Sequence, residues 1–394
     1  MALALVAGLF GSLDTALNVA FPDLIDDFDR EVGDLQWVIV SYVVSYGALL
    51  LGAGGLGDRF GHRRLAAVGA LGSTLAIFAC AVAPSFGWFL VARVGQGTGT
   101  ALVMASAPAL AALSAPPSSK GRALGRFQTS AAIGLTVGPI LGGVLVELGG
   151  WRGVFWFRVP IGMLLLAMAA RAVQAPGTPS RADVALEPVQ ASVAGSTERF
   201  ITDNLASIGA NGAAFALWLF LPSLLIDHRN LGAGAAGLVL AVSPAATAVA
   251  ALGAGRLADR GRTTSLLLGG LALEAAGLAM LSQATATTGM LALASGTALT
   301  GAGLGLFTVP NMARVMAAAG ERRQGIGGAL CLLTRTVGIV GAALGLTAVF
   351  DASRPGVDFF DRFEVVFVLA TGIVLVIVVL TGAVDRRKRL PSPS

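Results

Sequence analysis

GGLGDRFGHRR (Gly54 to Arg64) joins two long apolar runs, and a shorter copy, GRLADRGR (Gly255 to Arg262), joins two more. Asp58 and Asp259 lie 201 positions apart in a chain of 394 residues. A repeat at half the chain length predicts two related bundles of helices. A charged turn repeated at the same point predicts that something moves there in both.

Composition sets the solvent. The chain is 55% hydrophobic and 12% charged, with a mean hydropathy of +0.79. A soluble domain carries about 25% charged residues. This chain lacks the polar residues to cover a core in water, so the bilayer is its solvent. Its 53 glycines fit, because small residues let membrane helices approach closely. The basic residues sit in short loops, not on one contiguous face, which excludes nucleic acid as a partner. Cys80 and Cys331 fall inside apolar runs and read as buried small hydrophobes, not a disulfide. His62 and His228 fall in loops, so no zinc or haem constellation forms, and no metal or cofactor is expected. No P-loop or nucleophile elbow is present, which argues against an enzyme and against driving by ATP.

A membrane helix needs about 20 apolar residues. Twelve runs qualify: approximately 3–22, 36–57, 64–84, 88–112, 122–146, 153–172, 199–226, 233–254, 264–283, 288–312, 324–350 and 362–384. The first holds Asp14 and Asn18 and ends in an acidic segment, so it reads as a span and not a cleaved signal peptide. Segment 173–198, with Pro176, Pro179 and Pro188, is the one long polar interruption and reads as a linker. The expected domains are 1–172, a six-helix bundle, and 199–394, a second six-helix bundle with a short basic tail. Most of the 27 Lys and Arg fall in alternate loops, including Arg59, Arg63 and Arg64; Lys120, Arg122 and Arg126; Arg256, Arg260 and Arg262; and Arg386 to Arg389 around Lys388. By the positive-inside rule that side is the cytoplasm, and both termini lie there.

The signature loop, Gly54-x-Leu56-x-Asp58-Arg59-x-Gly61-His62-Arg63-Arg64, is similar to that of the major facilitator superfamily. The whole chain most resembles that family's drug:proton antiporters, in a twelve-span form. The physical reading of the loop is independent. Gly54 and Gly61 permit a tight turn. Asp58, and Asp259 with Arg260 in the copy, can cap a neighbouring helix or pair with an Arg across the bundle interface, latching one conformational state. The alternative is a solvated charged loop.

In span four, Arg93, Gln96 and Thr100 share one helix face. An Arg within the hydrocarbon is costly and faces a partner or a wet cavity. The resemblance implies a role in proton coupling; the alternative is a purely structural tie. Asp14, in span one, resembles the antiporters' first-span aspartate, linked to proton and substrate, and i, i+4 spacing places Asn18 on its face. Gly134, Gly138, Pro139, Gly142 and Gly143 match the antiporter motif of span five. They predict a flat, bent face packed on the opposite half and acting as a pivot or seal. The resemblance continues at Trp151, Arg152, Phe155 and Pro160, but Arg158 stands where relatives carry Asn. Arg158 is expected to snorkel to the outer interface, the alternative being an outer vestibule that prefers anions.

In the second half, Gly301, Gly303, Gly305, Pro310 and Asn311 resemble the family's span ten, and Thr334, Arg335 and Gly338 its span eleven. Asp203, Ser207, Asn211 and Trp218 form a polar stripe on span seven. Glu274, central in span nine, is a candidate second protonatable site. The expected substrate cavity draws on Asn18, Tyr42, Tyr46, Gln96, Asn211, Trp218, Asn311 and Arg335. The resemblance implies a monomer in the bacterial cytoplasmic membrane that exchanges protons for small lipophilic or cationic compounds by alternating access. A selective carrier of a metabolite, organic anion or lipid-like substrate is the competing reading.

Overall fold

The computed structural model describes residues 1–30, 34–174, 193–351 and 358–387. Most of the expected linker lies outside them, as do Lys388 and Arg389 of the basic tail. Ten stretches among the described residues are long and apolar enough to cross a bilayer. One, Pro117–Gln174, holds two spans, because Gly149 (φ −151°) and Gly150 (φ 62°) break the helical path inside it. Phe86–Leu113 adds a 28-residue helix whose polar and small residues are mostly buried by its neighbours. The twelve expected runs are therefore all helical.

We number the spans in chain order. α1 is Ala2–Ser12, continued by a 3-10 segment, Leu13–Ala20, and a short helix, Phe21–Asp27. α2 is Leu35–Phe60, α3 His62–Ala81 and α4 Phe86–Leu113. α5 covers 120–148 and α6 covers 151–174. α7 is Val193–Ile226, α8 Ala233–Ala258, α9 Thr263–Ser282, α10 Met290–Ala319, α11 Gln324–Asp351 and α12 Phe359–Arg387.

The chain divides into two compact units. The first draws on Met1–Pro116, Ser130–Glu187 and Ala319–Leu333; the second on Pro117–Thr129, Pro188–Ala318 and Thr334–Ser394. Each unit is mostly one half of the sequence. The first turns of α5 and of α11 are exchanged, each grouping with the other half's helices.

Within the first unit, α3 and α4 cross at glycine. A Cβ on Gly69 would lie 2.7 Å from the Gly99 carbonyl oxygen. Ser73 and Thr100 share a hydroxyl hydrogen bond of 3.1 Å beside the crossing. In the second unit, α9 and α10 do the same: a Cβ on Gly270 would lie 2.7 Å from the Gly303 oxygen. Gly69 and Gly270 are 201 positions apart, like the aspartates of the charged turn. The repeat is thus a repeat of backbone contacts. Elsewhere in the second unit an apolar core runs through Leu217, Leu221, Leu271, Phe307, Phe363 and Phe367. Large apolar side chains such as Val44, Leu75, Val91, Leu238, Leu344 and Val379 point outward. In a bilayer that surface needs no polar cover.

The glycines of α5 pack differently from expectation. A Cβ on Gly134 would meet Ser12 Cβ at 2.8 Å, one on Gly138 would collide with Thr15, and one on Gly142 with the Ala16 carbonyl. The motif therefore seats α1, its own half's first helix, a neighbour that the sequence did not name. Gly143 is looser, 3.9 Å from Val19. Where the first spans end, Arg152 Nη1 donates to Asp27 at 2.7 Å and Trp151 Nε1 donates to the same oxygen at 3.2 Å.

Two outcomes are expected. Gly142→Val should lower stability by about 1–3 kcal/mol through overpacking against backbone, read as a fall in thermal midpoint in detergent. Gly52→Ala, which has open space around its Cβ within a helix, should leave the midpoint unchanged or raise it; an equal fall in both would refute the close approach. The hydrogen bond from Arg152 holds the Asp27 carboxyl below its ordinary value. Its contribution is present above the unfolded-state pKa and is lost as pH falls through the lower folded value. The small stability gap between wild type and Asp27→Asn should therefore close on acidification below about pH 4, and a gap that widens there would contradict the pairing.

Candidate functional site: a buried Asp–Arg cluster and two carboxylate caps

Asp14 is the centre of a polar cluster in the first unit. The 3-10 segment that carries it begins where Thr15 Oγ1 donates to the Ser12 carbonyl at 3.0 Å. Arg93 on α4 grips the carboxylate with both terminal nitrogens, Nη1 to Oδ1 at 2.9 Å and Nη2 to Oδ2 at 3.1 Å. Gln96, one turn on, donates from Nε2 to Oδ1 at 2.9 Å and accepts from Arg93 Nη1 at 2.8 Å. The guanidinium of Arg93 lies over the Tyr42 ring, 4.5 Å from its centroid, and Tyr42 stacks on Tyr46 at 5.9 Å. Sequence periodicity placed Arg93 and Gln96 on one face, and both now hold Asp14.

Arg158 completes the cluster and corrects its expected place. It does not snorkel to an interface: its side chain is 1% exposed, and Nη1 donates to Asp14 Oδ1 at 2.6 Å. Two guanidinium groups therefore surround one carboxylate. With each at its usual charge, the cluster carries a net positive charge inside the bundle. The signal was present in the sequence, since an Arg inside an apolar span demands a partner. The partner is 144 residues away, which periodicity within one helix does not reveal.

Asn18 is absent from the cluster. A 3-10 segment turns 120° per residue, so i, i+4 positions diverge by about 120° and Asn18 is exposed.

The charged turns become helix caps. Asp58 accepts from the backbone N–H of Gly325 at 2.7 Å and of Ile326 at 2.9 Å, in the first turn of α11. Asp259 accepts from the N–H of Gly121 at 2.7 Å and of Arg122 at 3.1 Å, in the first turn of α5. These first-turn amides have no partner within their own helices, and the helix dipole favours a carboxylate there. Glycine makes the approach possible. A Cβ on Gly54 would lie 2.6 Å from the Gly325 oxygen, and one on Gly255 2.6 Å from the Gly121 oxygen. Gly61, at φ 95°, ends α2 in a conformation side chains resist. His62 opens α3, not a loop, and its Nε2 sits 3.1 Å from Asp58. Arg63 donates to the Ala172 carbonyl at 3.0 Å, Arg59 lies over Phe60, and Arg260 is exposed.

The remaining candidates lie in the second unit. Asn211 donates to its own helix at Ser207, and Ser207 accepts from Thr334 at 3.0 Å. Asn311 is buried with an unpaired Oδ1, while Trp218 and Arg335 are half-buried. Glu274 is fully buried, with neither carboxyl oxygen hydrogen-bonded among the described residues. Asp203 belongs to an ion network that the sequence did not reveal. Arg314 on α10 pairs with Asp203 on α7 at 2.8 Å and with Asp385 on α12 at 3.1 Å. No group of three His, Cys, Asp or Glu that could hold a metal occurs among the described residues.

Removing one partner of a buried pair is worth about 3–5 kcal/mol, whereas losing a cap is worth about 1 kcal/mol. Asp14→Ala should therefore lower the thermal midpoint several times more than Asp58→Ala or Asp259→Ala. A similar fall in all three would show that Asp14 is not the anchor of the cluster.

Comparison with known proteins extends this geometry. The chain is 40% identical over 162 residues to the multidrug resistance protein Stp of Mycobacterium tuberculosis, a match covering 40% of this chain and 30% of that protein. Against the tetracenomycin C resistance and export protein of Streptomyces glaucescens it is 34% identical over 168 residues, 41% of this chain and 31% of the other. The chain thus spans about a third of the length of these two relatives. The riboflavin transporter RibZ of Clostridioides difficile is 24% identical over 383 residues, covering 85% and 83%. Among solved structures, the human organic anion transporter MFSD10 (TETRAN) shares the fold with a TM-score of 0.76 at 15% identity, over 96% of this chain and 98% of that one. The transporter FucP, in its outward conformation, does so with a TM-score of 0.72 at 16% identity, over 97% and 98%. The sequence profile of the Major Facilitator Superfamily matches residues 3–343. That match runs through both capped turns and the Asp14 cluster, and it shows that this multi-pass membrane chain belongs to the Major Facilitator Superfamily of transporters.

Proposed function

We propose that the chain is a proton-coupled exporter of small, mainly lipophilic organic compounds in a bacterial cytoplasmic membrane, with both termini on the cytoplasmic side. The observation that carries this reading is the Asp14 carboxylate held by Arg93, Gln96 and Arg158 inside the first unit. A carboxylate can gain a proton only as its grip on these cations loosens, so proton loading and rearrangement of the cluster become one event. Protonation of Asp14 favours release of substrate outside; deprotonation toward the cytoplasm restores the grip and resets the carrier.

The two caps supply the alternation. Each ties a turn of one sequence half to the first turn of a helix from the other half. Both caps are formed together here, and their making and breaking on one membrane face accompanies the rocking of one repeat against the other. The glycine stripe of α5 supports the coupling too, because it packs on Thr15 and Ala16 beside Asp14. Movement of α5 is thereby felt at the cluster. The drug-resistance relatives favour export, although a riboflavin transporter also stands among the similar proteins. Glu274 enters as a second proton site in the other unit.

Purified protein in proteoliposomes, given a pH jump and a panel of lipophilic dyes, tests the reading. Dye movement should follow the proton gradient in wild type and fall at least tenfold in Asp14→Asn, with size-exclusion profiles unchanged. Movement that persists in Asp14→Asn would remove Asp14 from coupling, and movement driven by sodium instead would replace the proton.

A further inference from the structure

The cluster holds one more cation than anion, and the surplus has a direction. Arg158 uses only Nη1, on Asp14; its Nε and Nη2 are buried and have no hydrogen-bond partner among the described residues. Those two nitrogens form one edge of the guanidinium, the side-on fork that takes a carboxylate with two parallel hydrogen bonds. A buried guanidinium edge without an acceptor is unfavourable by the desolvation of each N–H. Arg93 has no such edge: Nη1, Nη2 and Nε all have acceptors, the last being the Val38 carbonyl at 3.4 Å. Aromatic rings stand near Arg158. The Phe10 ring centroid is 5.9 Å from its Cζ, and Tyr42 and Tyr46 stack within the same cluster. The Asp14 side chain is 15% exposed, and Tyr42 and Tyr46 are half-buried, so the cluster is partly open on that side.

We propose that Arg158 is the specificity-determining residue of the transported substrate: the free Nε–Nη2 edge binds the carboxylate or comparable planar anionic group of an organic acid, while Nη1 stays on Asp14. The substrate is then a lipophilic monoanion, and a lipophilic cation is disfavoured by the surplus charge. This rests on the transporter reading and narrows it. Docking an anion balances the charge of the cluster.

Three probes with one ring system separate the charges: 2-naphthoate, 2-naphthamide and naphthylmethylammonium. Their binding to the purified full-length chain is measured by intrinsic tryptophan fluorescence, in wild type, Arg158→Asn and Arg158→Lys. Wild type should bind naphthoate about tenfold or more tightly than the amide, and the ammonium most weakly. Arg158→Asn should abolish the preference for naphthoate, and Arg158→Lys should keep part of it, as a point charge without the fork. If the variants do not fold, the order of the three probes in wild type decides. Equal binding of acid and amide, preference for the ammonium, or no binding of naphthoate overturns the proposal. The transporter reading is judged apart, by proton-driven dye movement in proteoliposomes. Movement that is indifferent to Arg158 would leave the transporter standing and this inference refuted.

Discussion

Two guanidinium groups share one carboxylate in the apolar interior of the first unit, and much of that unit is arranged to permit it. Charges removed from water need close partners and additional hydrogen bonds. Asp14 receives them from Arg93, Gln96 and Arg158, on two helices well separated in sequence. For these groups to meet, α1 must come close to α4 and α6, and α5 packs beside them. Small residues provide that approach: Gly11 stands against Met104, Gly138 and Gly142 against Thr15 and Ala16, and Gly162 against Phe10 and Thr74. The glycines and the ion cluster are therefore one construction.

The internal repeat stops short of this cluster. Backbone contacts recur in both units, at Gly69 with Gly99 and at Gly270 with Gly303, and at the caps of Asp58 and Asp259. The charges do not recur. The position 204 residues beyond Arg93, the offset that relates Gly99 to Gly303, is Thr297. Among the described residues Thr297 donates to its own helix, at Leu293. The second unit instead keeps its buried ions near the ends of α7, α10 and α12, in Asp203, Arg314 and Asp385. Duplication supplied the scaffold, and the two copies diverged in chemistry.

What could be read beforehand follows the range of each signal. Apolar runs report spans directly, and the charged turns suggested capping because a short carboxylate at a turn suits the free amides and dipole of a helix start. Arg93 and Gln96 were found together because three-residue spacing on one helix is a local property. Three features were not legible in this way. Arg158 was assigned to an interface because long basic side chains commonly reach one, yet its carboxylate lies on another helix. Asn18 was placed beside Asp14 by α-helical geometry that the 3-10 segment Leu13–Ala20 does not follow. The α5 glycines announced close packing, but not that α1 is the helix they seat.

The caps have an evolutionary consequence. Asp58 and Asp259 bind backbone N–H groups, not side chains. Any residue except proline presents the same amide at 326 and at 122, so drift at those positions leaves the bond intact. Gly325 and Gly121 are constrained for a different reason, the carbonyl oxygens of Gly54 and Gly255 pressed against them. Selection on this contact should therefore appear as an aspartate and a glycine each held fixed, with no compensating exchange between them. Methods that infer contacts from correlated substitutions would pass over the attachment between these turns and helix starts, because a bond to the main chain leaves no pair of side chains to vary together.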